Sequence, residues 1–83
     1  MNTRKTLTEK QAAVLQYIAD YTEEHSMAPS MIDIAKERDT NVPNIQHVIV
    51  ALERKGYISR EFKKSRSIKI IEEGKAYSYE EVE

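Results

Sequence analysis

No cysteine occurs in the 83 residues, and only two glycines, Gly56 and Gly74. The first absence removes disulfides, thiolate nucleophiles and Cys-ligated zinc together, and it fits a reducing compartment. The second leaves no glycine-rich loop to cradle phosphates. The longest unbroken apolar run is Val48 to Leu52, far below the ~20 residues that span a bilayer and too short for a signal-peptide core. A soluble, cytosolic chain without a membrane partner is expected. No paired carboxylates and no nucleophile beside a base stand out, so catalytic residues, cofactors and an enzyme are not expected. His25 and His47 lack a third ligand at helical or hairpin spacing, which argues against a metal site. Nothing points to a small-molecule ligand.

Charge is balanced overall, with 13 Lys+Arg against 14 Asp+Glu for a net −1. Nucleic-acid binding usually goes with a clearly basic domain, yet the average hides segregation. Residues 54 to 69 sum to +6, with Arg54, Lys55, Arg60, Lys63, Lys64, Arg66 and Lys69 opposed only by Glu61. Residues 20 to 39 and 70 to 83 each sum to −4. The stretch 40 to 52 carries no formal charge but holds Asn41, Asn44, Gln46 and His47. A basic segment beside an amide-rich one suits phosphate contacts beside base contacts. The blander alternative is a solvated charged face.

At 40% apolar residues, the length supports one small domain that buries roughly 60% of its unfolded surface. Thr8 with Gln11 forms a capping-box signature, and Leu7 is placed as the hydrophobic staple. A helix is predicted from about Glu9 to His25, its apolar face carrying Val14, Leu15, Ile18, Tyr21 and Thr22. Residues 26 to 29 break it. Ser30 followed by Asp33 opens a second helix to about Arg38, with Met31, Ile34 and Ala35 inward. Asn41 is a suitable N-cap and Pro43 suits a first turn, so a third helix is predicted over 42 to 55, stopped by Gly56. Ile45, Val48, Ile49 and Leu52 share one face, and Pro43, Gln46, His47, Val50 and Arg54 share the other. After Gly56 the period shortens to two. Residues 57 to 60 and 67 to 71 read as strands joined through a basic tip, 61 to 66.

The expected fold is therefore mainly α with a small β-hairpin, a winged helix-turn-helix over 1 to 71. Residues 72 to 83 form an acidic tail or a short helix. Four separated blocks add a resemblance: Leu7-Thr8 with Gln11, Ala28-Pro29-Ser30 before Ile34-Ala35, Leu52 to Ile58, and Ser65 to Ile71. In this order they resemble the DNA-binding domain of the LexA repressors, over about residues 7 to 71. The resemblance implies a transcriptional repressor whose partner is double-stranded DNA, with the third helix in the major groove. Base contacts would then fall on Asn41, Pro43, Asn44, Gln46 and His47. Backbone contacts would fall on Ser30 and on the wing residues Lys63, Lys64 and Arg66. The chemistry suits the assignment: Asn and Gln pair bidentately with adenine, His donates to guanine, and Val50 packs on a thymine methyl. Arg54 adds a cation at the end of the same face.

Departures from the LexA pattern are local. The turn between the second and third helices is one residue shorter, with Asp39 where glycine is usual and Arg38 and Thr40 at positions the general motif makes apolar. Aspartate tolerates a left-handed turn better than most residues. The recognition residues differ from the LexA set, so the LexA operator does not carry over. The second domain of those repressors, with its Ser/Lys self-cleavage dyad and dimer interface, has no counterpart in these residues, and self-cleavage is not expected of them. A homodimer through Ala76, Tyr77, Tyr79 and Val82 is one expectation for the tail, and a monomer with a solvated tail is the other. Net acidity keeps a second function open, a winged-helix protein-interaction module that modulates another regulator.

Overall fold

Thr8 sets where the chain begins to coil. In the computed structural model, which describes residues 6–61 and 63–71, its hydroxyl accepts the Gln11 N–H at 3.1 Å and its own N–H donates to Gln11 Oε1 at 3.0 Å. This capping box opens α1, Glu9–His25. Ser26 ends it in the left-handed region at φ 59, its N–H returning to the Thr22 carbonyl at 2.9 Å. Val14 and Ile18 are fully buried, and Leu15 and Tyr17 pack against them. Thr22, predicted on the inward face, is exposed. Tyr17, three residues after Val14, packs against the core from the other flank of the stripe.

A second capping box, between Ser30 and Asp33, opens α2, Met31–Glu37, with both bonds at 3.0 Å. Asn41 caps α3, Val42–Arg54, by accepting the Asn44 N–H at 3.0 Å, and Pro43 occupies its first turn. The joint between α2 and α3 is a Schellman closure. The Thr40 N–H reaches the Ala35 carbonyl at 2.9 Å, the Asp39 N–H reaches Lys36, and Asp39 sits at φ 56. The aspartate thus adopts the left-handed conformation that glycine usually supplies. The same closure ends α3, with Gly56 at φ 85 and the Tyr57 N–H on the Leu52 carbonyl at 3.0 Å. Here glycine avoids the Cβ clash.

Strands β1, Ile58–Ser59, and β2, Lys69–Ile70, pair antiparallel with Ile58 opposite Ile70. They are shorter than the predicted 57 to 60 and 67 to 71. Ser67 explains part of the difference. Its hydroxyl accepts the Glu61 N–H at 3.0 Å and donates to the Lys64 carbonyl at 2.9 Å, so Ser67 belongs to the turn of the tip and not to the strand. Lys63 and Arg66 are both left-handed, at φ 60 and 54. The third helix supplies the centre of the core. Ile45, Ile49 and Leu52 are fully buried against Ile18 and Ile34, and Ile58 and Ile68 dock the hairpin on the same cluster. Each such aliphatic side chain contributes about 1.5–3 kcal/mol by leaving water.

Candidate nucleic-acid interface

Burial of Ile45, Val48, Ile49 and Leu52 turns the opposite side of α3 to solvent. Pro43, Gln46, His47 and Arg54 are exposed and Val50 is half-buried. With Val42 and Ala51 they line one shallow concavity. This face carries amides, an imidazole and apolar groups, with a single charge at its C-terminal end. At its start, Asn44 Nδ2 donates to Thr40 Oγ1 at 2.8 Å, so the amide is oriented before any ligand arrives. Asn41 spends its Oδ1 on the helix cap. Thr40, expected only as a misfit in an apolar position, is the residue that positions Asn44. A polar side chain four residues before an amide was the signal for it.

The hairpin stands beside this face, and a cleft of about 680 Å³ separates them. Val42 and Gln46 line it from α3, Ser30, Met31 and Ile32 from α2, and Lys63 to Ile68 from the wing. Ile32 is 57% exposed there, a large apolar side chain the sequence did not mark.

The basic stretch is less uniform than its composition. Lys55 Nζ donates to the Thr6 carbonyl at 2.8 Å and to Gln11 Oε1 at 2.7 Å, tying the end of α3 to the start of α1. Arg60 pairs with Glu53 at 3.2 Å. Lys64 lies 3.6 Å from Glu61, both well exposed, an arrangement of small energetic worth. Arg66 turns back onto the fold: its Nη1 is 2.9 Å from Asp33 Oδ2 and donates to the Tyr21 hydroxyl and the Ala28 carbonyl, each at 3.2 Å.

Asp33 is the meeting point. The Ser30 N–H and hydroxyl hold its carboxylate below the usual range, and Arg66 adds to the effect. The Tyr21 hydroxyl and Asp33 together hold the Arg66 guanidinium above its already high value. Burial pushes the Tyr17 phenol up, helped by Glu37 and Asp33. The Tyr17 and Tyr21 rings meet at a tilt of 57° with centres 5.8 Å apart, and the Tyr21 and His25 ring centres are 4.1 Å apart. The structure thus places Asn41, Pro43, Asn44, Gln46, His47, Val50 and Arg54 along one helix, with Ser30, Lys63 and Lys64 around the adjoining cleft. Arg66 lines the same cleft, but its Nη1 reaches back to α1, α2 and the segment between them. Ala76, Tyr77, Tyr79 and Val82, the expected dimer contact, lie outside the described residues, as does the whole of 72 to 83.

Three helices, a tight left-handed joint before the third, and a hairpin flanking its exposed face define a winged helix-turn-helix. The chain belongs to the LexA DNA-binding domain family, whose model, described as LexA DNA binding domain, matches residues 4–67. The LexA repressor of Thermosipho melanesiensis is 46% identical over 68 residues, which is 81% of this chain and 34% of that protein. That of Thermosipho africanus is 43% identical over the same length and the same shares. That of Pseudothermotoga lettingae is 39% identical over 74 residues, 88% of this chain and 36% of the repressor. The chain therefore spans about a third of the length of the curated relatives it matches. Among the described residues no helix is long and apolar enough to cross a membrane.

Proposed function

We propose that the chain is a sequence-specific double-stranded DNA-binding transcriptional regulator, acting as a repressor. In this reading α3 enters the major groove. Asn44, Gln46 and His47 read base edges, Asn41, Pro43 and Val50 shape and complete the contact, and Arg54, Lys63, Lys64 and the start of α2 at Ser30 meet phosphates. The observation that carries the reading is the exposed face of α3. It is rich in hydrogen-bonding groups that bear no charge, it is oriented in part by Thr40, and it lies beside lysines across an open cleft. Such groups discriminate bases, whereas the lysines contribute sequence-independent affinity.

One module of this kind covers only about 600 to 1,000 Å² on DNA. Two copies on half-sites about 34–36 Å apart would give the tighter binding a regulator needs. Selection of bound sites from random duplexes, followed by salt titration on the selected and a random duplex, tests the function. A recovered consensus with steep salt dependence supports it. Absence of binding at low salt overturns it in favour of a protein-interaction module. Sedimentation with and without the selected duplex tests the pairing.

A further inference from the structure

Arg66, expected from the sequence to meet phosphate, turns one nitrogen of its head group, Nη1, onto the body of the fold. Arg66 belongs to the hairpin, but its guanidinium meets three acceptors on the body: Asp33 Oδ2, the Tyr21 hydroxyl and the Ala28 carbonyl, all between 2.9 and 3.2 Å. These come from α2, α1 and the segment between them. They lie 33 to 45 residues away in the chain, so the contact closes a long loop and is not local to the hairpin.

The same Asp33 oxygen also accepts the Ser30 N–H at 3.0 Å in the capping box of α2. The base of the wing and the entry to α2 are thereby joined through one carboxylate. The backbone reinforces this. Arg66 is at φ 54, a left-handed conformation that is unfavourable for a residue with a Cβ and persists where the surroundings impose it. Two strands of two residues each are too short to orient a loop by themselves.

We infer that Arg66 is a positioning residue. It latches the wing to the junction of α1 and α2, sets the separation between the wing lysines and α3, and acts through Tyr21 and Asp33 without taking a phosphate itself. The inference rests on the DNA-binding reading above and deepens it. On DNA the latched wing arrives already ordered, whereas an unlatched wing must order its loop and two lysine side chains during binding. That cost corresponds to about 5- to 30-fold in affinity.

The test uses the full chain with Arg66→Ala, Arg66→Lys, Tyr21→Phe and the Arg66→Ala/Tyr21→Phe double variant. Because the protein has no cysteine, Ser65→Cys provides a unique attachment point for a spin label, and broadening of the Ser30 and Met31 amide signals across the cleft reports wing position without DNA. Circular dichroism checks that each variant is folded. Expected are loss of that broadening in Arg66→Ala and partial loss in Tyr21→Phe. Duplex affinity should fall about 5- to 30-fold and about 2- to 5-fold respectively, the double variant should match Arg66→Ala alone, and the salt slope should be unchanged throughout.

Arg66→Lys should restore part of the broadening and part of the affinity. A slope that shrinks by about 0.9 in Arg66→Ala, with Tyr21→Phe silent, would identify a direct phosphate contact and overturn the latch. Undisturbed broadening in every variant also overturns it. If the unaltered chain binds no duplex at low salt, the DNA reading fails and the positioning role falls with it, and broadening lost on mutation then marks a purely structural contact.

Discussion

Replacing Lys63 and Lys64 together by alanine tests how the wing meets DNA, and the structure changes the size of effect to expect. Composition alone offers three wing cations, Lys63, Lys64 and Arg66, hence up to three released counterions and a slope of log affinity against log salt smaller by about 2.7. The positioning role inferred for Arg66 takes it out of that count, since its Nη1 is engaged by Asp33 at 2.9 Å and by Tyr21. Lys64 gives up only an exposed contact with Glu61 at 3.6 Å, which competes poorly with a phosphate. The pair should therefore lower the slope by about 1.8. Over about a fourfold rise in salt this is a difference of about 12-fold: the double variant loses about 12-fold less affinity than the parent between 50 and 200 mM. Fluorescence anisotropy with a random duplex at four or five salt concentrations measures it directly, since no base-specific contribution intrudes. An unchanged slope removes the wing from the interface. A fall near 0.9 leaves one lysine in it, and adding Arg66→Ala must not deepen the effect.

Three further outcomes follow from the same geometry. Asn44→Ala, Gln46→Ala and His47→Ala should each cost about 1–3 kcal/mol on the selected site and little on random duplex, and Thr40→Val should weaken selectivity in the same direction by freeing the Asn44 amide, all read by paired titrations. Ile45→Ala removes a fully buried side chain between α2 and α3 and should cost about 2–5 kcal/mol, lowering the melting temperature by roughly 4–8 °C for each kcal/mol in a calorimetric scan. Asp33 has a depressed folded pKa, so the stability it contributes is whole above the ordinary carboxylate value near ~4 and is lost as pH falls through the folded value. Thermal melts across that acid range should show the loss in the parent chain, and Asp33→Asn should flatten it.

The helices were legible in the sequence because what starts, stops and faces them is local. Thr8 with Gln11, and Ser30 with Asp33, are capping boxes within one turn, and the period of Ile45, Val48, Ile49 and Leu52 already marks the inward side of α3. Its outward side, with Gln46 and His47, follows from the same period by subtraction. Strand lengths were less legible, since Ser67, read as a strand residue from alternation, turns its hydroxyl to the Glu61 N–H and the Lys64 carbonyl of the tip. The destination of the cations was decided only by the fold. Arg54, Lys55, Lys63 and Arg66 are equivalent as charges along the chain and together read as one basic block. Lys55 finds Thr6 and Gln11, 49 and 44 residues away, and Arg66 finds Tyr21 and Ala28, 45 and 38 residues away. A charge pattern along a sequence reports how many cations there are. Which of them are consumed in holding the body together depends on acceptors that approach only when the helices pack, and tertiary structure alone decides it.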